Sequence, residues 1–314
     1  METISILKYK SNAGIPNAKE ELNERLKYRK DLPLRGIEGE RICLTGMEEI
    51  EKKVASVRAL YEKVPSKHRV QALIMIDAHS SATIEGAHTT VDKVKKCFDN
   101  PQSKDDKMVV NAVHGCNYAY NHCISADNIR VLWEIITKDV CENQDKAGTL
   151  YRNGMVYIGN DMETIHIPCS PEKLPEVMAD LFAFQQIQMD EILKSIIFHF
   201  YFVYVHPFCD GNGRTARAVQ GSQLFHAGLK KIKGVAISSA INDNLHGYYK
   251  AIKDSEERID DVDENEIWLD VSPFVDYMLK VMETAMLNAI LSENADGKTG
   301  NGEGKRGSCL HAEA

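Results

Sequence analysis

The spacing of apolar residues along most of the 314-residue chain is helical. In MEEIEKKVASVRALYEKV (47–64) apolar side chains recur every three or four positions, as on one helix face, and Pro65 ends the pattern. We expect Thr90 and Asp127 to act as helix N-caps. Similar patterns predict further helices near 18–28, 66–83, 91–98, 105–123, 127–140, 171–187, 189–205, 213–227, 242–254 and 272–291.

One stretch alternates apolar and polar residues as a strand does. Residues 151–168 contain YRNGMVYIGND followed by ETIHIP, and we interpret them as a small β-hairpin or flap. The helix predicted over 189–205 is apolar nearly all round, so it should lie at the centre of the fold. The predicted fold class is therefore all-α, with one small β-hairpin.

Composition changes along the chain predict four segments. Residues 1–45 mix charge with short apolar pieces and are predicted to form an N-terminal arm. A helical segment covers 46–100, and a helical core covers 101–290. The last segment, 291–314, is polar and rich in glycine, and we expect it to be disordered.

Charge and cysteine usage narrow the class of protein. The formal net charge of −8 argues against binding of nucleic acid or an acidic membrane over the whole surface. The N-terminus lacks the apolar region of a signal peptide, and the longest apolar run, 196–205, is about half of what a bilayer requires. The eight cysteines contain no C-x-x-C pair, which is typical of thiols in a reducing compartment. We therefore expect a cytoplasmic protein.

The segment HPFCDGNGRTAR (206–217) concentrates most of the candidate chemistry. Gly211 and Gly213 let the backbone turn and approach a ligand where a helix begins, and unpaired N–H groups there attract anions. Arg214 and Arg217, three positions apart, lie on one helix face and can reach the same polyphosphate. These residues predict a phosphate site.

The same segment offers a base and a carboxylate. Asp210 stands just before the glycines, and one carboxylate with phosphate oxygens and water is a usual way to hold Mg²⁺. His206 ends the preceding helix, and its ordinary pKa range suits a general base for a hydroxyl nucleophile.

The segment resembles the signature of the Fic family, H-x-F-x-D-G-N-G-R-x-x-R, with every defining position filled. The resemblance implies a Fic-type helical core that transfers AMP from ATP to a Ser, Thr or Tyr hydroxyl of a target protein. It implies that His206 deprotonates this hydroxyl and that Asp210 holds Mg²⁺ against the α- and β-phosphates.

The resemblance also implies how the nucleotide is held. Asn212 and the amides of Gly211 and Gly213 would stabilise the α-phosphate, while Arg214 and Arg217 would bind the outer phosphates.

Similarity to the family extends beyond the signature, over roughly residues 75 to 285. The hairpin at 151–168 is similar to a flap that holds the backbone of the target by strand addition. HGYYKAI (246–252) is similar to a helix whose tyrosines border the nucleotide base, which makes Tyr248 and Tyr249 candidates.

A second motif lies upstream of this core. Ser81, Glu85 and Gly86 in SATIEG resemble the family's inhibitory motif, [S/T]-x-x-x-E-[G/N]. A glutamate delivered to Arg217 would form a charge-assisted pair and withdraw the guanidinium from the γ-phosphate. The resemblance therefore predicts an enzyme inhibited by its own N-terminal helix.

Other functions remain open on the sequence alone. The same scaffold could remove AMP from a modified target, or carry out another phosphoryl or nucleotidyl transfer, although Gly213 argues against relatives that have Lys there and resemble kinases. A regulatory protein that binds ATP without turnover is a further alternative, which the intact His206 disfavours. The sequence leaves the oligomeric state open, and the resemblance is compatible with a homodimer.

Overall fold

The computed structural model describes residues 4–66, 70–141, 150–160, 163–261 and 266–300. The α-helices of these residues, α1 to α13 in chain order, are Ile4–Asn12, Ala18–Lys27, Met47–Lys63, Val70–Ile84, Val91–Cys97, Lys104–Asn121, Ile129–Thr137, Leu174–Phe184, Glu191–Val205, Asn212–His226, Ile237–Asp243, Leu245–Ser255 and Ser272–Gly300. A 3₁₀-helix covers Lys230–Gly234. The strands, β1 to β6, are Lys30–Arg35, Arg41–Leu44, Ile158–Asn160, Glu163–His166, Arg258–Asp261 and Glu266–Asp270.

Helix α9 forms the centre of the fold, as its apolar sequence predicts. Asp190 caps its N-terminus by accepting hydrogen bonds from the backbone of the first turn, and 12 of its 15 residues are buried. Full burial of one phenylalanine such as Phe198 contributes about 1.5–3 kcal/mol. Helices α8, α10 and α13 pack around α9, so the residues at its C-terminal end are held on a rigid support.

Helix α4, which carries the predicted inhibitory motif, packs inside the fold against α6, α10 and α11. Its midpoint residue Asp77 is tied to the start of α11, because its carboxylate accepts hydrogen bonds from Ser238 N (2.6 Å) and Ser238 Oγ (3.1 Å). Burial raises the pKa of Asp77 to about 6. The C-terminal end of α4 is therefore positioned by a polar anchor as well as by apolar packing.

The prediction of a helical fold with a small hairpin is confirmed, and β3 and β4 pair antiparallel within the predicted flap. The sequence analysis missed a second, four-stranded sheet of order β1-β2-β6-β5. Strands β1 and β2 come from the predicted N-terminal arm, and β2 pairs parallel with β6, more than 200 residues later. These strands are four to six residues long and one contains Pro33, so they lack a local strand signal.

Several helix ends differ from their predicted positions. The helix predicted over 242–254 begins earlier and is divided at Asn244, whose side chain caps α12 by accepting from Gly247 N at 3.2 Å. Asn128, not Asp127, precedes α7, whereas Thr90 caps α5 as expected. Helix α13 continues to Gly300, into the predicted disordered tail, and 301–314 lie outside the described residues.

Membrane-spanning helices and disulfides are both absent from the described residues. None of their helices is both long and apolar enough to cross a membrane. The seven cysteines among them form no disulfide, and Cys309 lies outside the described part of the chain.

Candidate active site

The loop of residues 206–211 joins the end of α9 to the start of α10. His206 leaves α9 in the left-handed region with φ 55°, and Gly211 enters α10 with φ 77°. Gly211 is required by space as well, because a Cβ there would lie 2.6 Å from Thr137 Cγ2. The loop therefore reverses the chain sharply just before the N-terminal turn of α10.

Asn212 shapes this loop from inside. Its Oδ1 accepts from Phe208 N at 3.0 Å, and its Nδ2 donates to Phe208 O at 2.7 Å. The side chain is buried, with 1% exposure. The amide group is therefore engaged with the loop backbone, and the expected role of Asn212 at the α-phosphate stays a prediction.

His206 presents a neutral imidazole. Its Nδ1 lies 3.2 Å from Val203 O, and since a carbonyl oxygen only accepts, Nδ1 carries the proton and Nε2 keeps its lone pair. Burial lowers the pKa of His206 to about 4. The side chain is thus an acceptor at neutral pH, as a general base must be.

Arg152 holds this histidine in place, and the sequence analysis did not identify it. Its Nε donates to His206 O at 2.8 Å and its Nη1 to Gly154 O at 2.9 Å, while Nη2 donates to Cys169 O. The Arg152 backbone N also donates to Pro207 O at 2.9 Å. A single buried guanidinium thus links the base of the flap to the 206–211 loop, a relation that only long-range contacts reveal.

Asp210 and Arg214 form a pair beside the loop. Arg214 Nη2 lies 3.3 and 3.4 Å from the two Asp210 carboxylate oxygens, and Arg214 Nη1 donates to Ile136 O at 3.4 Å. Gly211 N donates to Asp210 Oδ1 at 2.5 Å, and Trp133 Nε1 donates to Asp210 O at 2.7 Å. The Asp210 side chain remains 45% exposed, so its carboxylate is accessible to a ligand.

The predicted contact between Glu85 and Arg217 is present. Arg217 Nη2 lies 2.8 Å from Glu85 Oε1 and donates to Ser81 O at 2.9 Å, while Nε donates to Ser81 Oγ at 2.8 Å. The Arg217 side chain is only 3% exposed. Burial, the largest single influence, would raise the pKa of Glu85, but the charge and hydrogen bond of Arg217 together with the charge of Arg214 outweigh it, and the net pKa is lowered. The pair is therefore ionised at neutral pH.

The end of α4 directs Glu85 onto the first turn of α10. Gly86 adopts φ 88°, its N–H donates to Thr83 O at 2.9 Å, and Ala87 N donates to Ala82 O at 3.1 Å, which together terminate the helix. A Cβ at Gly213 would clash with Glu85 Oε1. The carboxylate thus occupies the anion-attracting end of α10.

The two candidate tyrosines differ in their surroundings. Tyr248 is 2% exposed, and its hydroxyl lies 2.9 Å from His199 Nε2 inside the core. The ring of Tyr248 is thus enclosed by protein, and the expectation that it borders a bound base stays a prediction. Tyr249 is 51% exposed and its hydroxyl donates to Ile84 O at 3.4 Å, so it lies at the surface beside Glu85.

The chemistry of these residues suits a phosphate-bearing ligand and a hydroxyl. Backbone N–H groups, Arg214 and Arg217 converge at the start of α10, and a neutral imidazole lies at the other end of the same short loop. No group of three His, Cys, Asp or Glu side chains within the described ranges could hold a metal ion alone. A single accessible carboxylate, Asp210, suits Mg²⁺ that is also bound by substrate phosphates.

Three kinds of comparison with known proteins all point to the same family. The model of the Fic/DOC family matches residues 123–224. A protein named Protein adenylyltransferase Fic from Nematostella vectensis is 26% identical over 204 residues, which cover 60% of this chain and 46% of that protein. The chain thus spans less than half the length of this curated relative.

Solved structures share the fold at low sequence identity. A Fic family protein from Desulfovibrio desulfuricans G20 superposes with a TM-score of 0.66 and 21% identity, covering 78% of this chain and 75% of that one. Fic-1 (residues 134–508) from C. elegans superposes with a TM-score of 0.60 and 19% identity, covering 80% and 74% of the two chains.

Proposed function

Residues 123–224 match the Fic/DOC family, and from that premise we propose that the chain is a protein adenylyltransferase that transfers AMP from ATP to a Ser, Thr or Tyr hydroxyl of a target protein. The observation that carries the proposal is the neutral imidazole of His206, set at one end of a short loop whose other end opens an anion site. A protein that only bound ATP would need no proton acceptor there.

The proposed reaction requires little from the protein beyond positioning the reactants and stabilising the charge on the phosphates. His206 Nε2 takes the proton of the target hydroxyl, whose oxygen attacks the α-phosphorus of ATP. The bond from the α-phosphorus to the bridging oxygen breaks, and pyrophosphate leaves with the electron pair. Arg152 supports this step by holding the His206 backbone. Oriented N–H groups and guanidinium groups lower the barrier by stabilising the charge that develops on the phosphates.

Substrate phosphates would be held by the start of α10. The amide of Gly213, and that of Gly211 once it leaves Asp210 Oδ1, would face the α-phosphate, and Arg214 and Arg217 would bind the outer phosphates. Asp210 is the residue that would hold Mg²⁺, which neutralises phosphate charge when it is bound. Arg214 already contacts the Asp210 carboxylate, so both side chains lie where a phosphate and a cation would be held together.

Glu85 supports a proposal of autoinhibition. Its carboxylate lies against Arg217 and the first turn of α10, where it competes with a γ-phosphate for the same donors. Ser81 strengthens the competing arrangement because it accepts from Arg217 Nε. ATP would then bind weakly, or with its α-phosphorus misaligned for attack, until α4 releases the arginine.

The flap supports binding of a target protein. Large apolar side chains next to the hairpin β3–β4 are exposed, Met155 at 45%, Tyr157 at 66% and Ile167 at 53%. An extended segment of the target could pair with the hairpin edge and pack on these side chains, with its hydroxyl directed at His206.

The test is transfer of label from α-labelled ATP by Glu85→Gly, with and without His206→Ala. We expect Glu85→Gly to modify itself or a band in a host lysate, and the double variant to bind ATP without transferring label. If Glu85→Gly leaves activity unchanged at both subsaturating and saturating ATP-Mg, autoinhibition is wrong. Nucleotide binding without transfer in Glu85→Gly would contradict adenylyl transfer.

Mass spectrometry of the acceptor separates the remaining alternatives. Addition of AMP supports the proposal, and addition of phosphate alone indicates the reversed orientation of the nucleotide. Loss of AMP from a pre-modified target, dependent on Glu85, would instead indicate hydrolysis, with the Glu85 carboxylate positioning the water.

A further inference from the structure

Two cysteines meet where the 206–211 loop contacts the end of α7. Cys209 lies between Phe208 and Asp210 in the loop, and Cys141 follows α7. Their Sγ atoms are 3.7 Å apart, although 68 positions separate them in sequence. Both residues are half-buried, so a small oxidant can reach the pair. The chemistry of adenylyl transfer does not use either thiol.

We propose that Cys141 and Cys209 are an oxidisable pair that closes to an intramolecular disulfide and thereby lowers the activity of the site. The disulfide is independent of any assigned function, whereas its effect on activity rests on the proposed adenylyl transfer.

The surroundings of the pair favour closure. The end of α7 and the loop are already in contact on both sides of it, through the hydrogen bond from Trp133 Nε1 to Asp210 O and through Thr137 against Gly211. The sulfur–sulfur bond of a disulfide is about 2.05 Å long. The Sγ atoms of Cys141 and Cys209 therefore need to move toward each other by less than the diameter of one atom. No separate elements have to be brought together.

The reaction is balanced with a hydroperoxide as oxidant. One cysteine sulfur, as thiolate, attacks the peroxide oxygen, the O–O bond breaks, and an alcohol or water leaves, which gives a sulfenic acid. The second sulfur attacks the sulfenic sulfur, the S–O bond breaks, and water leaves. The pair is oxidised by two electrons, the peroxide is reduced by two, and the two thiol protons end in the released products. A thiol reductant reverses the step by exchange.

Formation of the disulfide should displace Asp210, the residue that follows Cys209. Phe208, which precedes Cys209, cannot move with it, because Asn212 binds both the N–H and the C=O of Phe208. Movement of Cys209 toward Cys141 is therefore passed to Asp210, whose carboxylate lies beside the phosphate site. A misplacement of about 1 Å in such a site can reduce turnover by up to about 100-fold.

The experiment uses the full chain carrying Glu85→Gly, treated with hydrogen peroxide and then alkylated. Peptide mapping is expected to find Cys141 joined to Cys209, and label transfer should fall at least about tenfold and return with dithiothreitol. Adding Cys141→Ser should abolish the linkage, leave transfer before oxidation unchanged, and protect it from peroxide. Cys123→Ser, at an exposed cysteine, is the matched control and should behave like the parent.

Two results overturn the proposal: no linkage between Cys141 and Cys209, or equal inactivation of the Cys141→Ser protein by peroxide. If the linkage is mapped but neither the reduced nor the oxidised protein transfers label, the disulfide site is supported and the proposed adenylyl transfer is what fails.

Discussion

Replacement of Glu85 by glutamine tests whether inhibition comes from charge or from bulk. The substitution keeps the size of the side chain and one oxygen acceptor within reach of Arg217, but it removes the negative charge. Glutamine also resembles the uncharged, protonated form of the glutamic acid side chain. Because the pKa of Glu85 is lowered in the fold, its ionised contact adds stability above the unfolded pKa and is lost only as pH falls through the folded value.

The size of the effect can be worked from the contact. Unit charges 2.8 Å apart attract by about 6 kcal/mol at an effective dielectric constant of about 20, and desolvation of the buried partners offsets most of this. A hydrogen bond to a charged group contributes about 1.5–3 kcal/mol and a neutral one about 0.5–1.5 kcal/mol. Glu85→Gln should therefore weaken the hold on Arg217 by about 1–2 kcal/mol, or about 5- to 30-fold.

The assay is label transfer at increasing ATP-Mg, analysed as kcat and apparent KM. If Glu85 competes with the γ-phosphate, Glu85→Gln should lower the apparent KM for ATP-Mg by that factor, with Glu85→Gly lowering it further. Glu85→Asp keeps the charge on a side chain one methylene shorter, which makes it the matched control for reach. A Glu85→Gln protein as inactive as the wild type, beside a fully active Glu85→Gly protein, would refute the electrostatic reasoning and leave steric blocking.

Further predictions concern the residues that hold the site. Asn212→Ala should destabilise the fold by about 3 kcal/mol in urea denaturation, because it strands the Phe208 N–H and C=O; a changed KM for ATP with unaltered stability would mean a phosphate contact instead. Arg152→Lys should reduce kcat with little change in KM for ATP, since lysine cannot reproduce the forked contact that orients His206; equal loss of both would contradict a positioning role. The rate of Glu85→Gly should fall with acid only near the His206 pKa of about 4, and an acid limb near 6.5 that disappears in His206→Ala would contradict the lowering of this pKa by burial. Burial also lowers the pKa of His199 to about 3, so its unfolded form takes up protons first and stability should fall by about 1.4 kcal/mol per pH unit below about 6.5, a slope that His199→Gln should reduce.

The local sequence was sufficient to predict structure wherever apolar residues recur periodically or the functional residues form one contiguous motif. The apolar run of α9 predicts a central helix, and the twelve residues from His206 to Arg217 predict a turn between two helices with an anion site at the second. The contact between Glu85 and Arg217 was also expected, but from resemblance to a family rather than from spacing, since 132 positions separate the two.

Sequence reasoning was insufficient where the surroundings of a residue decide its contacts and its exposure. Asn212 carries a side chain suited to a phosphate, yet the amide faces inward because the buried Phe208 backbone needs both of its hydrogen bonds. Tyr248 and Tyr249 are identical and adjacent, but the helix turns one ring into the core and leaves the other at the surface. Such differences are set by packing, which a one-dimensional pattern does not encode.

The sequence by itself determined the helical class of this chain, its similarity to the Fic/DOC family and the chemical groups of the candidate site, because these follow from periodicity and from a contiguous motif. Only the tertiary structure decided the four-stranded sheet, the anchoring of His206 by Arg152 and the meeting of Cys141 with Cys209. Each of these joins segments more than 50 residues apart, and such contacts form only when the buried core brings the segments together.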